Sequence, residues 1–240
     1  MTTKELSLYL NNADEAEAYL FKIGVLKTFN ICVQCETSHF GRVRRGKYKC
    51  YECKTEWNIR KGSFLESKKI ALGDFLGIVK FFSDGVNATR CAEELGIGIK
   101  LTRLIYSEFR LKLIDKKITN IHGTSKVSFF IREVDGNINI SIGNNTVEEI
   151  SAAELTATRT KDESGVYYFN FSYKTKYKKN FLRQIERIDN LDNFYRYCQL
   201  QLLSFRGRDI NALAYTLHEL VYRYNHRKNN LLEILISKIK

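Results

Sequence analysis

The stretch ICVQCETSHFGRVRRGKYKCYEC, residues 31–53, sets two Cys-x-x-Cys pairs, Cys32/Cys35 and Cys50/Cys53, on either side of a segment carrying five positive charges. Four soft ligands spaced as Cys-x2-Cys-x14-Cys-x2-Cys suit the tetrahedral shell of Zn²⁺, and a shell filled by four protein ligands is structural rather than catalytic. A pair of redox-active dithiols is the alternative use of the same spacing. From Phe40 to Arg60, β-branched and aromatic residues alternate with charges around Gly46, so the spacing predicts short antiparallel strands and a zinc ribbon over 31–62. Arg42, Arg44, Arg45, Lys47 and Lys49 then decorate those strands, with Tyr48 and Tyr51 among them. A rigid basic surface of this kind suits the phosphates of nucleic acid. A solvated strand face is the alternative for each residue taken singly.

The bulk composition agrees with a polyanionic partner. The chain has 240 residues, with Lys and Arg numbering 39 against 27 Asp and Glu, a formal charge of +12. Its 44% hydrophobic content supports real cores and argues against disorder. No run approaches the length of a membrane span, and the opening MTTKELSLYLNNADEAEAYL is acidic where a signal peptide would be basic and then apolar. The expectation is an intracellular protein without a membrane partner, in the cytoplasm or nucleoid if bacterial and in the nucleus if eukaryotic. Of the six cysteines, Cys91 and Cys198 stand apart from the pairs and read as buried thiols.

Around the ribbon the pattern is helical. Residues 13–29 carry Ala16, Tyr19, Leu20 and Ile23 at helical spacing with Gly24 as terminator, giving a helical lead over 1–30. Residues 68–113 read as three helices broken near Asp84-Gly85 and Gly96 to Gly98. Ala92 and Gly96, with Cys91, Leu95, Ile97 and Ile105 around them, fit a helix-turn-helix within 66–115, where a small residue is needed at the helix crossing. Its second helix, about 99–113, would present Lys100, Thr102 and Arg103 to base edges, with Arg110 and Lys112 further along. An ordinary helical hairpin is the alternative. Residues 126–142 alternate around Asp135-Gly136, a strong hairpin signal. One more strand is expected at 165–175, followed by helices from about residue 178.

The order of these elements resembles the zinc-ribbon insertion-sequence transposases of the Merlin superfamily. The connection EWNIRKGSFLESKKIAL, residues 56–72, is similar to that family's linker after the ribbon. DNLDNFYRYCQLQLLSFRGRDINALAYTLHELVYRYNHR, residues 189–227, follows its C-terminal motif. Phe194 and Tyr195 fall on a Phe-Trp pair, Phe205 and Gly207 on a later Phe-x-Gly, and Glu219 with YRYNHR on the ending. The resemblance implies an RNase H-like, integrase-like domain over 126–240 with helices at its C-terminal end, in an α+β multidomain chain. It also implies three carboxylates holding two divalent metals, Mg²⁺ or Mn²⁺, for phosphoryl transfer.

Carried across residue by residue, the resemblance gives Asp135 as the first acid, followed by Gly136 where the family has another acid. Asp192 takes the place of the third, normally Glu. A hairpin-turn Asp and a helix-surface Asp explain these residues equally well. FNFSY, residues 169–173, lacks the family's His and has no matching second Asp; Glu148, Glu149, Glu154 and Asp162 are weak substitutes. Fewer strands follow than the five of an RNase H-like sheet, so the catalytic core reads as shortened. The expected function is therefore binding of double-stranded DNA by a protein of transposase descent, with a homodimer as a further expectation. The alternatives are an active metal-dependent transposase that cuts and joins DNA, and a zinc-ribbon transcription regulator.

Overall fold

Asn12 ends one helix and begins the next. Its extended backbone terminates α1 (Thr3–Asn11), and its side chain accepts from the amides of Asp14 and Glu15 to open α2 (Ala13–Lys22). At the other end of α1, Thr2 and Glu5 form a reciprocal capping box. The sequence suggested one helix from residue 13 with Gly24 as its terminator; the structure has a further helix before it, and α2 stops at Lys22 just ahead of Gly24, which takes a left-handed φ of 77°.

The structure, a computed structural model, describes residues 1–44, 46–114, 126–143, 153–161, 163, 167–175, 185–202 and 210–240. It is a mixed α/β chain with two antiparallel sheets, and it divides into two units, Met1–Lys112 with Leu231–Lys240, and Leu113–Asn230. No helix among the described residues is long and apolar enough to cross a membrane.

In the first unit a three-stranded sheet, β1 (Phe40–Val43), β2 (Lys47–Cys50) and β3 (Glu56–Asn58), is followed by α3 (Leu72–Ser83), α4 (Ala88–Leu95) and α5 (Ile99–Leu113). The breaks fall where the glycines predict them. Gly96 takes the left-handed conformation that closes α4, and Asn87 caps its start by accepting from the Arg90 amide. Phe75, Phe82, Ile105, Tyr106 and Phe109 are fully buried among these helices, and the Tyr106 hydroxyl donates to the Val86 carbonyl at 3.0 Å. Helix α8 (Leu231–Ile239), expected as part of a 126–240 domain, belongs instead with this unit, burying Leu232, Leu235, Ile236 and Ile239.

The second unit is a four-stranded sheet, β4 (Lys126–Val134), β5 (Asn137–Gly143), β6 (Ala153–Lys161) and β7 (Tyr167–Thr175), with α6 (Ile185–Leu202) and α7 (Ile210–Asn225). Strand order is β5-β4-β6-β7 and every neighbouring pair is antiparallel. Val127, Phe129, Ile131, Leu155, Ala157 and Phe169 meet Leu191, Phe194, Cys198, Leu213 and Leu217 in one core. Strand β6 is absent from the sequence reading: its buried positions Ala153, Leu155 and Ala157 are mostly small, so the alternation against Thr156, Thr158 and Thr160 has little hydrophobic contrast.

Helix α3 is held close to its neighbours by two glycines one turn apart. A Cβ on Gly73 would lie 3.0 Å from the Leu10 Cα and closer still to the Tyr9 carbonyl oxygen, whereas one on Gly77 would meet only the side chain of Leu95. Gly73→Ala therefore lowers stability by about 1–3 kcal/mol in urea unfolding, as expected when backbone must be pushed apart. Gly77→Ala costs less, because Leu95 can turn aside. Burial also depresses the pKa of His218 on α7 below its ordinary 6.5. The unfolded chain then binds more protons as pH falls through about 6.5, so stability declines with acidification there, and His218→Gln removes that part of the pH dependence of unfolding.

Candidate metal centre and basic surfaces

The two knuckles of the ribbon share the pattern Cys-x-x-Cys-[Glu/Lys]-Thr, CVQCET at 32–37 and CYECKT at 50–55. Each turns the same way. Cys32 N–H donates to the Thr37 carbonyl at 2.7 Å and Cys50 N–H to the Thr55 carbonyl at 2.9 Å. Glu36 and Lys54, each just after the second cysteine of its pair, both adopt left-handed φ values, 59° and 62°. That conformation is costly for a residue with a side chain, and here it swings both sulfurs of a pair toward one point.

The four sulfurs of Cys32, Cys35, Cys50 and Cys53 all lie within 4.8 Å of one another. Cys32 and Cys53 are 3.7 Å apart and Cys35 and Cys50 3.6 Å, far longer than the roughly 2.05 Å of a disulfide. A tetrahedral Zn²⁺ with sulfurs at about 2.3 Å has an edge of about 3.8 Å, so the site fits such an ion. The second cysteines of the two pairs differ in acidity. The Thr55 hydroxyl, 3.2 Å from Cys53 Sγ, together with the Thr55 amide, holds that thiol down to about 6. The Thr37 amide favours the Cys35 thiolate but is outweighed by desolvation together with hydrogen bonds from the three neighbouring sulfurs, which leave it raised to about 12. Four thiolates at this spacing need a cation between them.

Beside the sulfurs, Phe29, Phe40, Tyr48 and Trp57 form a small aromatic cluster, with Tyr48 stacked on Trp57 at 5.7 Å and Phe40 at 5.2 Å from the indole. This cluster reveals which way the basic residues face. Partners directly across an antiparallel ladder share a face. Arg42 is paired with Tyr48, and Tyr48 with Trp57, which puts Arg42 on the aromatic face; Lys47 and Lys49 pair with Val43 and Gly41 on the other.

The expected single phosphate-facing surface is thus divided between two faces. Arg42 reaches Glu17 of α2 at 2.7 Å, while Lys47 and Lys49 approach Glu56 at 3.5 and 3.8 Å. Arg44 is exposed, and Arg45 lies outside the described residues. Glu17 is a partner that sequence reading had no means of finding, since it lies on a different element. The ribbon is also tied to the helices through its linker: the half-buried Arg60 guanidinium donates to the carbonyls of Lys68 and Ile70, both at 2.6 Å, and Lys68 in turn pairs with Glu108 of α5 at 2.8 Å.

On α5, Lys100 and Arg103 are exposed as expected. Thr102 is not a base-facing residue: it is 0% exposed, and its hydroxyl turns back to the Gly98 carbonyl at 3.3 Å. The helical period explains the correction, because Thr102 shares the inward face with Ile105, Tyr106 and Phe109. The outward stripe instead runs Lys100, Arg103, Leu104, Ser107, Leu111. Sequence reading missed Leu104 and Ser107; the buried spacing of Ile105 and Phe109 is the signal that locates them.

Asp135 sits at the exposed tip of the β4–β5 hairpin, and both it and Gly136 have positive φ, 51° and 77°. That is the backbone of a type I′ turn, in which Asp-Gly is a preferred pair. Asp192 falls within α6, with its side chain outside the described residues, as are Glu148, Glu149 and Asp162. Glu154 lies on β6, half-buried, and accepts from the Thr156 hydroxyl at 3.3 Å. Among the described residues the four cysteines are the one group able to enclose a metal ion.

The chain's single tryptophan, Trp57, gives a direct readout of this centre. Elemental analysis is expected to return one metal ion per chain. Cys50→Ser is expected to abolish it and to shift Trp57 fluorescence to the red as the indole becomes wet. Metal affinity falls with falling pH, since each bound thiolate must first lose its proton.

No protein family, characterised protein or solved structure matches the chain.

Proposed function

We propose that this chain binds duplex DNA through α4 and α5, with zinc in the four-cysteine site organising the ribbon beside them. The observation that carries the reading is the outward stripe of α5. Its first two turns present Lys100 and Arg103, and no described acid pairs with either. The nearby Glu108 is engaged by Lys68, and Glu94 on α4 is offset by Arg90 at 3.6 Å. Two helices joined through a left-handed glycine, the second with a cationic exposed N-terminal half, have the features that let a helix enter a major groove. The formal charge of +12 adds long-range attraction to a polyanion.

Descent from a zinc-ribbon transposase, implied by the motifs at 56–72 and 189–227, is part of the same proposal, with the second unit as a reduced form of the integrase-like core. In this reading the chemistry has been lost. Turn geometry accounts for Asp135 without any catalytic role, and the acid that follows it in the family is Gly136. A two-metal site deprived of a bridging carboxylate holds its ions poorly.

Gel-shift titrations of full-length protein on duplex DNA across a salt series test both parts. Affinity is expected to fall steeply with salt, and replacing Lys100 and Arg103 together by Ala to weaken binding about tenfold or more and flatten the salt slope. Lys47→Ala with Lys49→Ala, which removes cations already facing Glu56, changes neither much. Salt-independent binding would end the DNA reading. Mg²⁺- or Mn²⁺-dependent cutting of bound DNA that disappears in Asp135→Asn would establish an active transposase instead.

A further inference from the structure

The outward stripe of α5 contains more than cations. Leu104 is 54% exposed and Leu111 52%, and they lie seven residues apart on the same face as Lys100, Arg103 and Ser107. Neither contributes to the helical core, which Ile105, Tyr106 and Phe109 already fill from the opposite side. An exposed leucine alone needs no explanation, since much of any protein surface is apolar. Its position is informative: Leu104 follows Arg103 directly, one turn after Lys100, in the N-terminal half of the helix, where a groove-bound helix meets base edges.

Resting on the DNA-binding reading above, we infer that Leu104 is a specificity-determining residue whose side chain contacts the methyl group of a thymine in the major groove. Four observations commit the face to this occupant. The stripe's flanking charges are both positive, which suits a duplex and disfavours a second copy of the same cationic stripe packed face to face. No acid lies on the stripe, and the one acid of α5, Glu108, is directed to Lys68 at 2.8 Å. The Ser107 hydroxyl, next along the stripe, is turned back to the Arg103 carbonyl at 2.9 Å, leaving a smooth apolar step beside Leu104. Tyr106 anchors the helix through its bond to the Val86 carbonyl, so Leu104 is presented from a rigid element and not from a loop.

The major groove distinguishes thymine by its C5-methyl, which is recognised by apolar contact, whereas Lys and Arg read guanine or hold phosphates. Lys100, Arg103 and Leu104 together would therefore favour a site in which a thymine lies within a base pair or two of a guanine. Thr102 contributes nothing to this reading, being buried.

The test uses the full-length, metal-loaded chain. Duplexes are selected from a random pool, and each thymine of the bound sequence is replaced in turn by deoxyuridine, which removes only the methyl group. One position is expected to lose affinity about fourfold, the equivalent of one buried methyl. Leu104→Ala is expected to bind the parent site correspondingly less well and to be indifferent to that deoxyuridine, while keeping the wild-type salt slope and metal content. Since Leu104 is exposed, the variant is expected to fold, and unchanged Trp57 fluorescence and circular dichroism check this.

Salt-dependent binding in which no thymine methyl matters, or in which Leu104→Ala keeps the wild-type sensitivity, overturns the assignment of Leu104 and leaves the DNA-binding reading standing. A drop in oligomeric state in Leu104→Ala, without a thymine effect, assigns the stripe to self-association and likewise overturns it. Absence of salt-dependent duplex binding by the wild type overturns both.

Discussion

Four sulfurs crowded within 4.8 Å set the terms for the rest of the ribbon. As thiols they compete for hydrogen bonds, and as thiolates they repel; a cation at their centre would convert the crowding into a fixed point. Three strands of three or four residues and an aromatic cluster of Phe29, Phe40, Tyr48 and Trp57 bury too little to stand alone. The two left-handed residues, Glu36 and Lys54, are tolerable only where something over-determines the backbone around them. Once fixed, the ribbon is joined to the helices by ties with no metal in them, the Arg42–Glu17 pair and the Arg60 guanidinium on the linker carbonyls.

What could be read from the residues depended on whether the information was local. The cysteine spacing, the glycine breaks at Gly85 and Gly96 and the Asp135-Gly136 turn are properties of a few consecutive residues, and each has its structural counterpart. The direction of a side chain is not local in the same sense. A run of cations at 42–49 reads as one patch until the strand period splits it, and Thr102 reads as exposed until its neighbours on the inward face are known. Helix pairing was legible only as periodicity. That Glu17 balances Arg42, or that α8 joins the first unit, involves elements far apart in sequence.

The C-terminal motif gains a physical explanation from the second unit. Glu219 and Arg223, one turn apart on α7, form a nearly buried ion pair at 2.7 Å. Arg227 lies over the Tyr224 ring at 4.2 Å. Asn225 bonds both the amide and the carbonyl of Ile138, at 2.9 and 2.8 Å, so one side chain occupies a piece of the β5 edge as a neighbouring strand would. YRYN is thus accounted for by packing and hydrogen bonding, and a match to it bears on how α7 meets the sheet more than on any chemistry.

The placement of α8 sets the order in which the protein can be completed. Its apolar residues Leu232, Leu235, Ile236 and Ile239 belong to the first unit, yet residues 114–230 intervene between them and α5. On a ribosome the ribbon and the three helices emerge early, but that unit gains its final helix only after the second unit has been synthesised. Were the intervening chain flexible, closing so long a loop would cost about 4 kcal/mol of chain entropy. Nascent or prematurely terminated chains would carry the cysteines and α5 without α8, so the first unit reaches full stability last although most of it is made first.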